Sequence, residues 1–434
     1  MSAPLTVIDE SPTPADATPA CALPGSPLEA ALPGINQCVH CGFCLQACPT
    51  YQVLEDENES PRGRIFLMRS LLEGTVTVHD ERVHAHIDRC LGCRACEPAC
   101  PSGVPYGHLL EATRATIGAA RQPALVGRLI LFTFAHPALM RIAMFASRLL
   151  AATPIPTLLS RIGGRLGFSM AMLASAGSPL ERDPYETSNE GQRAKTALLE
   201  GCVMEGLFTD TNRATERVLQ KNGYSMVPAP GQACCGALHA HAGDLEAARN
   251  LARRNIAAFE KSESDIIVVN SAGCGAMMKE YAHLLHDDPE WASRAAEVSA
   301  RVKDVSELLA AAGPLPGNPL PLRVTYDAPC HLVHAQRIVT PPLAVLAAIP
   351  KLELIPLKDS EMCCGAAGIY NLIEPDTSDA VLEPKLANIA ESGAPFVVSG
   401  NPGCLMQIGA GLLRSGSKAK AIHIVDLLDA SYGS

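Results

Sequence analysis

Two cysteine runs of identical spacing constrain the N-terminal quarter of the chain more than any other feature. Each run reads C-x2-C-x2-C-x3-C-P. This is the spacing that binds a pair of [4Fe-4S] clusters, in which the last cysteine of each run ligates the cluster of the other run. The predicted ligand sets are Cys38, Cys41, Cys44 and Cys100 for one cluster and Cys48, Cys90, Cys93 and Cys96 for the other.

Zinc and disulfide bonds are the alternative uses of such thiols. A structural zinc site closes with four ligands and has no use for a third cysteine two residues on and a fourth before proline. A disulfide framework needs an oxidising compartment, and the N-terminus has no basic stretch followed by an apolar one that would direct export. We therefore expect reduced thiols in the cytoplasm.

Chain length and net charge limit the possible domain number and partners. The 434 residues can build two or three domains, and the net charge of -10 disfavours a nucleic-acid partner, which would need a basic face. Composition and motifs predict an α+β and α/β multidomain chain of five segments. These are a flexible leader (1–33), a small helical ferredoxin-type domain with two [4Fe-4S] clusters (34–112), a basic, apolar helical linker (113–193), and two cysteine-rich α/β domains (194–315 and 316–434).

The linker has an unusual charge pattern. Between Glu111 and Glu181 it has seven arginines and no acidic residue, and several of the arginines recur every seven residues. In helices these arginines would share a face opposite Leu, Ile, Phe and Met. No apolar stretch reaches the roughly eighteen residues that span a bilayer. We expect peripheral contact with an anionic membrane or an acidic partner, or simple packing between domains.

A second cysteine system occurs twice in the C-terminal half. Each copy has one cysteine, then Cys-Cys-Gly, then another cysteine, and corresponding positions lie 128 to 130 residues apart. The copies are Cys202, Cys234, Cys235 and Cys274, and Cys330, Cys363, Cys364 and Cys404. This regularity indicates an internal duplication. Short apolar runs alternate with helical ones, which predicts two pseudo-twofold-related α/β lobes with parallel strands near 197–199, 266–269, 324–326, 352–357 and 396–398, and with the thiols after the strands.

Four thiols at one sheet edge can bind a metal or an iron-sulfur cluster, although buried free cysteines are also common core residues. Adjacent cysteines fit poorly around one regular cubane, which favours a distorted cluster or a division of roles. The glycine after each pair allows close approach or a positive φ angle. Nearby candidate ligands or proton carriers are His239, His241, His331 and His334.

The module order and the residues around the motifs resemble the iron-sulfur subunit of bacterial glycolate oxidase, also called glycolate dehydrogenase. The resemblance runs from about residue 34 to the C-terminus. The matching segments are 38–44 (CVHCGFC), 61–65 (PRGRI), 199–202 (LEGC), 271–275 (SAGCG), 279–281 (KEY) and 334–336 (HAQ).

That resemblance implies an electron-transfer subunit and not the chain that binds substrate. In such complexes FAD-binding subunits oxidise glycolate to glyoxylate, and the iron-sulfur subunit passes electrons singly towards a quinone or another acceptor at the inner face of the cytoplasmic membrane. The chain agrees, since it has no G-x-G-x-x-G fingerprint for a dinucleotide. Iron-sulfur subunits of lactate and anaerobic glycerol-3-phosphate dehydrogenases share this architecture.

Two other functions stay open. The lobes could form an active site that reduces a disulfide, as in subunits that resemble the heterodisulfide reductase catalytic subunit. Those relatives end each motif in C-x-x-C, whereas Met277 and Gln407 take the last position here, so a noncubane cluster pair cannot simply be carried over. A zinc-stabilised scaffold without a redox role would purify colourless.

Overall fold

The computed structural model describes residues 21–121 and 125–433. The first twenty residues of the predicted leader lie outside this range. Residues 27–36 form two short helices, and the side chain of Leu28 is fully buried in the core of the ferredoxin-type domain. Ordered packing therefore begins before residue 34, because Leu28 contributes a core side chain within a segment whose Ala- and Pro-rich composition gave no sign of it.

The ferredoxin-type domain is helical, as predicted. Its helices are α1 (Pro27–Ala30), α2 (Leu32–Asn36), α3 (Pro49–Leu54), α4 (Pro61–Glu73), α5 (Glu81–Asp88) and α6 (Tyr106–Ala120). The longest of the central helices, α4, begins where the Ser60 hydroxyl accepts a hydrogen bond from the Gly63 amide and ends at Gly74 in the left-handed conformation. The proline after the first run opens α3, so that this helix leads the chain away from Cys48.

After α6, the described part of the linker contains four helices, α7 (Leu125–Ala135), α8 (Pro137–Ala151), α9 (Ile155–Leu159) and α10 (Gly164–Ala174). In the described part of the chain, none of the helices is by itself long and apolar enough to cross a bilayer. Only α7 and α8 taken together pass that test, and they are bent by 108° at their junction.

The two lobes have the predicted α/β architecture. The first contains β1 (Lys195–Leu198), α11 (Val203–Leu207), α12 (Thr209–Lys221), β2 (Ser225–Met226), α13 (Ala237–His241), α14 (Leu245–Lys261), β3 (Ile266–Val269), α15 (Ala272–Lys279), α16 (Tyr281–Leu284), α17 (Ala292–Arg301), β4 (Val302–Asp304) and α18 (Val305–Ala312). The second contains β5 (Arg323–Tyr326), a π-helical turn (His331–Ala335), α19 (Thr340–Ala347), β6 (Glu353–Ile355), α20 (Tyr370–Ile373), α21 (Pro375–Ser392), β7 (Phe396–Ser399), α22 (Pro402–Arg414), β8 (Lys420–His423) and α23 (Ile424–Gly433).

Each lobe has a four-stranded sheet, in the order β2-β1-β3-β4 in the first and β6-β5-β7-β8 in the second. All neighbouring strands are parallel. The identical order agrees with the duplication inferred from the cysteine spacing. The sequence did not predict β2, β4 or β8, because these two- to four-residue strands lack a continuous apolar run.

The sheets place the motif cysteines together. In a parallel sheet the loops after the strands meet at one edge. The cysteines of the first lobe follow β1, β2 and β3, and those of the second follow β5, β6 and β7. The lobes contact each other near these loops, where the Ala272 amide donates to the Gly400 carbonyl at 3.1 Å.

Candidate iron-sulfur sites

The first predicted ligand set surrounds one cavity in the ferredoxin-type domain. This cavity is lined by Cys38, Cys41, Cys44 and Cys100, together with Cys96. Cys41 is exposed, and burial raises the pKa of the Cys44 thiol to about 11. Cys100, the last cysteine of the second run, thus lies beside the thiols of the first run, as expected for this motif, in which the last cysteine of one run ligates the cluster of the other.

The second predicted set surrounds a neighbouring cavity. It is lined by Cys48, Cys90, Cys93 and Cys96, and all four are buried. Burial and then the nearby Cys93 and Cys90 thiols raise the pKa of Cys96 well above its ordinary value. Four buried thiols without polar partners are costly to keep in a protein interior, whereas thiolates that ligate iron have their negative charge balanced by the metal. The donor set therefore fits a [4Fe-4S] cluster.

A buried guanidinium adjoins this second set. Arg64 is fully buried, lies 2.6 Å from the Glu59 carboxylate and donates to the Thr50 hydroxyl at 3.1 Å. The Thr50 hydroxyl in turn lies 3.3 Å from the Cys48 sulfur. Burial lowers the pKa of Arg64, but the Cys90 thiol and other nearby groups outweigh that effect and raise it. Arg64 thus carries a fixed positive charge beside the thiols.

The sequence analysis used the segment 61–65 only as a match to the family and missed this role of Arg64. The signal was present, since Arg64 stands one and two helical turns before Met68 and Leu71, which are both core residues. A charged residue on the apolar face of a helix rarely stays there without a partner.

The first lobe gathers its four thiols in a row. Cys202, Cys234 and Cys235 are buried and Cys274 is half-buried. The thiols are neighbours in the order Cys202, Cys234, Cys235, Cys274, and these contacts shift the pKa values of Cys202, Cys234 and Cys235. The Cys202 and Cys235 thiols lower the pKa of Cys234 well below its ordinary value. The two adjacent cysteines thus have different further neighbours, Cys202 for Cys234 and Cys274 for Cys235, as a division of roles between them would require.

The second lobe repeats this row and extends it. Its cysteines, all buried, follow the order Cys330, Cys363, Cys364, Cys404. Here Cys363 also neighbours Cys93 of the ferredoxin-type domain, and both belong to one buried cluster. Tyr370 joins the same two domains, since its hydroxyl donates to the Arg89 carbonyl at 2.9 Å.

A buried ion pair distinguishes the two lobes. Lys385 Nζ lies 2.9 Å from Asp327 Oδ1, and both side chains are almost fully buried. Lys385 also helps to lower the pKa of Cys364, after the larger effects of the neighbouring thiols. At the matching repeat positions the first lobe has Leu199 and Asn255. The second row therefore has a buried cation beside it, and sequence reasoning, which compared only the cysteines, missed the difference.

The Cys-Cys-Gly glycines behave as predicted. Gly236 has φ +91° and Gly365 has φ +87°, and a Cβ added at Gly365 would lie 2.6 Å from the Ser378 carbonyl oxygen. The positive φ turns the chain sharply after each cysteine pair.

Among the described residues, only one of the four candidate histidines lies within hydrogen-bonding distance of a thiol. His331 Nδ1 lies 3.5 Å from the Cys330 sulfur. The others bond elsewhere, His239 to the Leu131 carbonyl at 3.0 Å, His241 to Glu111 at 3.1 Å and His334 to the Glu361 carbonyl at 3.0 Å.

Three of the linker arginines contact neighbouring domains, as the packing alternative predicts. Arg114 and Arg148 donate hydrogen bonds to backbone carbonyls of neighbouring domains, and Arg121 pairs with Asp88 at 2.9 Å. These arginines hold the linker in place and do not form one solvent-facing basic stripe, because their guanidinium groups satisfy carbonyls and a carboxylate.

Large apolar side chains also occupy solvent-facing positions of the linker. Twelve of the 21 exposed large hydrophobic residues of the described chain fall in the linker. They are Leu125, Val126, Leu129, Phe132, Leu139, Ile142, Phe145, Leu149, Ile155, Leu158, Ile162 and Leu166, which we call the apolar linker surface. Exposed patches of this kind mark contacts with proteins or membranes.

Comparison with known proteins agrees with this arrangement. The description "4Fe-4S dicluster domain" matches residues 34–104, and "Cysteine-rich domain" matches residues 196–279 and 324–409. The chain is 38% identical over 414 residues to the probable glycolate oxidase iron-sulfur subunit of Bacillus subtilis (strain 168), which covers 90% of the chain and 92% of that relative. The chain belongs to the family of glycolate oxidase iron-sulfur subunits.

Two further relatives define how far this similarity extends. The glycolate oxidase iron-sulfur subunit of Escherichia coli (strain K12) is 34% identical, with 91% of the chain and 93% of the relative covered. Lactate utilization protein A of Geobacillus kaustophilus (strain HTA426) is 29% identical over 54% of the chain and 99% of that protein. The predicted family and fold class are confirmed. As a member of the family, the chain is an iron-sulfur component of an oxidoreductase complex.

Proposed function

We propose that this chain is the electron-transfer subunit of a glycolate oxidase complex. It receives electrons from an FAD-binding partner that oxidises glycolate to glyoxylate, and it delivers them to a quinone or another acceptor at the membrane. The observation that carries this proposal is the contact between two cysteine groups in different domains, through Cys93 and Cys363. An electron carrier needs such neighbouring redox groups, whereas a scaffold does not.

The proposed ligands are those predicted from the runs. One [4Fe-4S] cluster takes Cys38, Cys41, Cys44 and Cys100, and the other takes Cys48, Cys90, Cys93 and Cys96. Each lobe's row of four thiols is a further iron-sulfur site. Bound clusters would supply one-electron redox chemistry. A flavin can deliver electrons to them one at a time after it has accepted the electron pair of a two-electron oxidation.

The chain's own residues shape these sites. Burial of the second set excludes water, and Arg64 supplies a positive charge next to it. Lys385 does the same for the second lobe. Charge and hydrogen bonds near sulfur are the protein's main means of setting cluster potentials.

The apolar linker surface is the proposed membrane contact. Exposed apolar side chains alternate there with exposed basic ones such as Arg141 and Arg161, in a segment without acidic residues. An apolar face with a basic flank suits the surface of a membrane that contains anionic lipids.

Lactate is the second candidate substrate for the complex, because proteins named for lactate utilization resemble about half of this chain. Glycolate is favoured since the two glycolate oxidase subunits match nearly its whole length.

The test is purification of the chain with its flavin partners under anaerobic conditions, followed by dye reduction with glycolate, L-lactate and D-lactate. Glycolate should be oxidised fastest, and removal of this chain should uncouple flavin reduction from the membrane acceptor. Equal electron delivery to the membrane with and without the chain would contradict the proposal.

A further inference from the structure

The side-chain amide of Asn401 lies between the two lobes and contacts a motif cysteine. Its Nδ2 donates to the Cys404 sulfur at 3.4 Å. Its Oδ1 accepts a hydrogen bond from the Gly273 amide of the first lobe at 3.2 Å, and the Ser271 hydroxyl donates to the same oxygen at 3.4 Å. A backbone N–H group can only donate, so the Asn401 atom that faces Gly273 is the oxygen and the atom that faces Cys404 is the nitrogen. The first lobe thereby fixes the direction of the bond to sulfur.

Asn401 does not stabilise the helix that it begins. It is the N-cap residue of α22, a position at which an asparagine side chain usually accepts a hydrogen bond from the first turn. Its side chain makes no such bond, and neither does that of Ser271, the N-cap residue of α15. The two side chains bond to each other across the junction of the lobes. Asn401 is therefore oriented by the first lobe and by Cys404, and not by its own helix.

His331 is a second nitrogen donor, next to the first cysteine of the same row. Its Nδ1 lies 3.5 Å from the Cys330 sulfur. Its Nε2 is buried and has no hydrogen-bond partner in the described part of the chain. A neutral imidazole has one N–H group, and a buried N–H group is rarely left without an acceptor. The proton therefore lies on Nδ1, which points at a sulfur that only accepts when it is a thiolate bound to iron.

The first lobe lacks both donors. At the repeat offsets of 128 and 130 residues, Val203 takes the place of His331 and Ser271 takes the place of Asn401. Valine has no polar side-chain atom, and the Ser271 hydroxyl is bonded to the Asn401 oxygen. The local backbone differs as well, since His331 begins a π-helical turn and Val203 begins the α-helix α11. Short π-helical segments are frequent at functional sites.

Donors to sulfur favour the reduced form of an iron-sulfur cluster. Reduction adds one negative charge, part of which is carried by the thiolate sulfurs, and an N–H group directed at such a sulfur stabilises that charge. Hydrogen bonds to sulfur are among the factors that set the potential of a cluster, and hydrogen bonds with an ionised acceptor are stronger than those between neutral groups. Two added donors therefore raise the reduction potential of a site built on the second row.

We propose that Asn401 and His331 are positioning residues of the second-lobe iron-sulfur site, and that their hydrogen bonds to the Cys404 and Cys330 sulfurs raise its reduction potential. The inference rests on the proposed function, which assigns a cluster to this row. Cys363 of the row packs in one buried cluster with a cysteine of the ferredoxin-type domain. The raised potential draws one electron at a time from the reduced second cluster of that domain into the second lobe, and no covalent bond of the chain forms or breaks.

The test is an EPR-monitored redox titration of the anaerobically purified complex. The second-lobe signal is the one that Cys404→Ser removes. Asn401→Leu removes the amide nitrogen at a similar side-chain volume, and Asn401→Ser is a milder variant that introduces the residue of the first lobe. His331→Phe keeps a ring and removes both nitrogens. The ion pair of Lys385 is unchanged in all these variants, so its charge does not contribute to the differences.

Two substitutions at neighbouring positions are the matched controls. Ser271→Ala removes a hydroxyl that is bonded to the Asn401 oxygen and leaves the bond from Asn401 to sulfur in place. His334→Phe is the same exchange as His331→Phe three residues later, at a ring that bonds the Glu361 carbonyl at 3.0 Å.

We expect the midpoint potential of the second-lobe signal to become more negative in both Asn401 variants and in His331→Phe, and to stay unchanged in the two controls. The potentials of the two clusters in the ferredoxin-type domain should not move. Unchanged second-lobe potentials in the Asn401 and His331 variants, or an equal shift in the controls, would overturn the inference. A shift at only one of the two positions would overturn the role of the other residue.

Pulsed EPR of the unmodified complex tests the histidine contact without a substitution. With ¹⁵N-labelled histidine, the second-lobe signal should show a weak ¹⁵N coupling, and its absence would overturn the role of His331. The number of lobe signals and the iron content of the unmodified complex report on the proposed function separately. A complex without a lobe signal would overturn the assignment of clusters to the lobes, whereas lobe signals with potentials that no variant shifts would overturn only this inference.

Discussion

Cys93 of the ferredoxin-type domain and Cys363 of the second lobe are neighbours in one buried cluster. The first-lobe row has no such contact with a ferredoxin-run cysteine among the interactions of its described thiols. The two lobes, although duplicated, therefore differ in their position relative to the clusters. The second row adjoins the predicted second cluster, and the first row does not.

Replacing Cys363 by alanine should disturb electron exchange between the domains while leaving the dicluster ligands in place. We expect two [4Fe-4S] signals of unchanged intensity in the low-temperature EPR spectrum of the reduced chain, together with loss of the spin interaction between the second cluster and the second lobe. Cys234→Ala is the matched control, because it is the first cysteine of the pair in the lobe without this contact. An identical spectrum in both variants would contradict the assigned route.

Arg64→Leu should destabilise the ferredoxin-type domain and lower the potential of the second cluster. Breaking a buried pair by removing one partner costs about 3–5 kcal/mol, and Glu59 would stay buried beside His86 and Arg89. Loss of a positive charge several ångströms from an anionic cluster, at an effective dielectric constant of about 20, lowers the potential by on the order of 100 mV. Thermal unfolding and an EPR-monitored redox titration measure the two effects.

Arg64→Lys provides the control, since it keeps the charge and loses the guanidinium geometry. It should retain most of the potential and lose stability. Equal potentials in the Leu and Lys variants would show that the charge of Arg64 does not tune the cluster.

The ion pair of the second lobe should behave as a unit. Lys385→Met leaves Asp327 buried without its cation and should cost about 3–5 kcal/mol of unfolding free energy, whereas Lys385→Met combined with Asp327→Leu should be near neutral. The double variant restores the apolar partner that the first lobe has at Leu199. A double variant as unstable as the single one would show that Lys385 acts through other contacts.

The apolar linker surface should be needed for membrane recovery. Ile142→Glu and Phe145→Glu each remove an exposed apolar side chain that the membrane would bury, at a cost of roughly 1.5–3 kcal/mol, or at least tenfold in vesicle affinity. Sedimentation with phosphatidylglycerol-containing vesicles measures this. Phe66→Glu, an equally exposed phenylalanine outside the linker, should bind as the unmodified chain does. Unchanged sedimentation of the linker variants would exclude this surface.

The sequence predicted what depends on local spacing. Cysteine runs, the repeat offset and apolar strands such as β3 are short-range signals, and they led to the domain order and to the cysteine groups. It could not predict the hydrogen bonds of Arg148, because their acceptors in the first lobe lie more than fifty residues away in the chain. Nor could it predict β4, because these three residues form a strand only by pairing with β3. Charge periodicity alone placed all the arginines on one solvent-facing side, whereas long-range hydrogen bonds hold Arg114 and Arg148 against neighbouring domains.

The buried charged residues could be predicted from the sequence only in part. Arg64 and Lys385 were visible in the sequence as polar residues within core-facing helix positions, but their partners Glu59 and Asp327 depend on tertiary packing. Comparison of the two halves at the repeat offset would have identified the contrast between Lys385 and Asn255 without a structure.

The central claim is that this chain carries electrons through iron-sulfur clusters. Low-temperature EPR of the anaerobically purified complex, recorded before and after addition of glycolate, tests it most directly. The account predicts an almost silent oxidised spectrum and, after glycolate, signals of reduced [4Fe-4S] clusters that disappear when the ferredoxin-run cysteines are replaced by serine. A complex that oxidises glycolate fully while no cluster signal develops would contradict it.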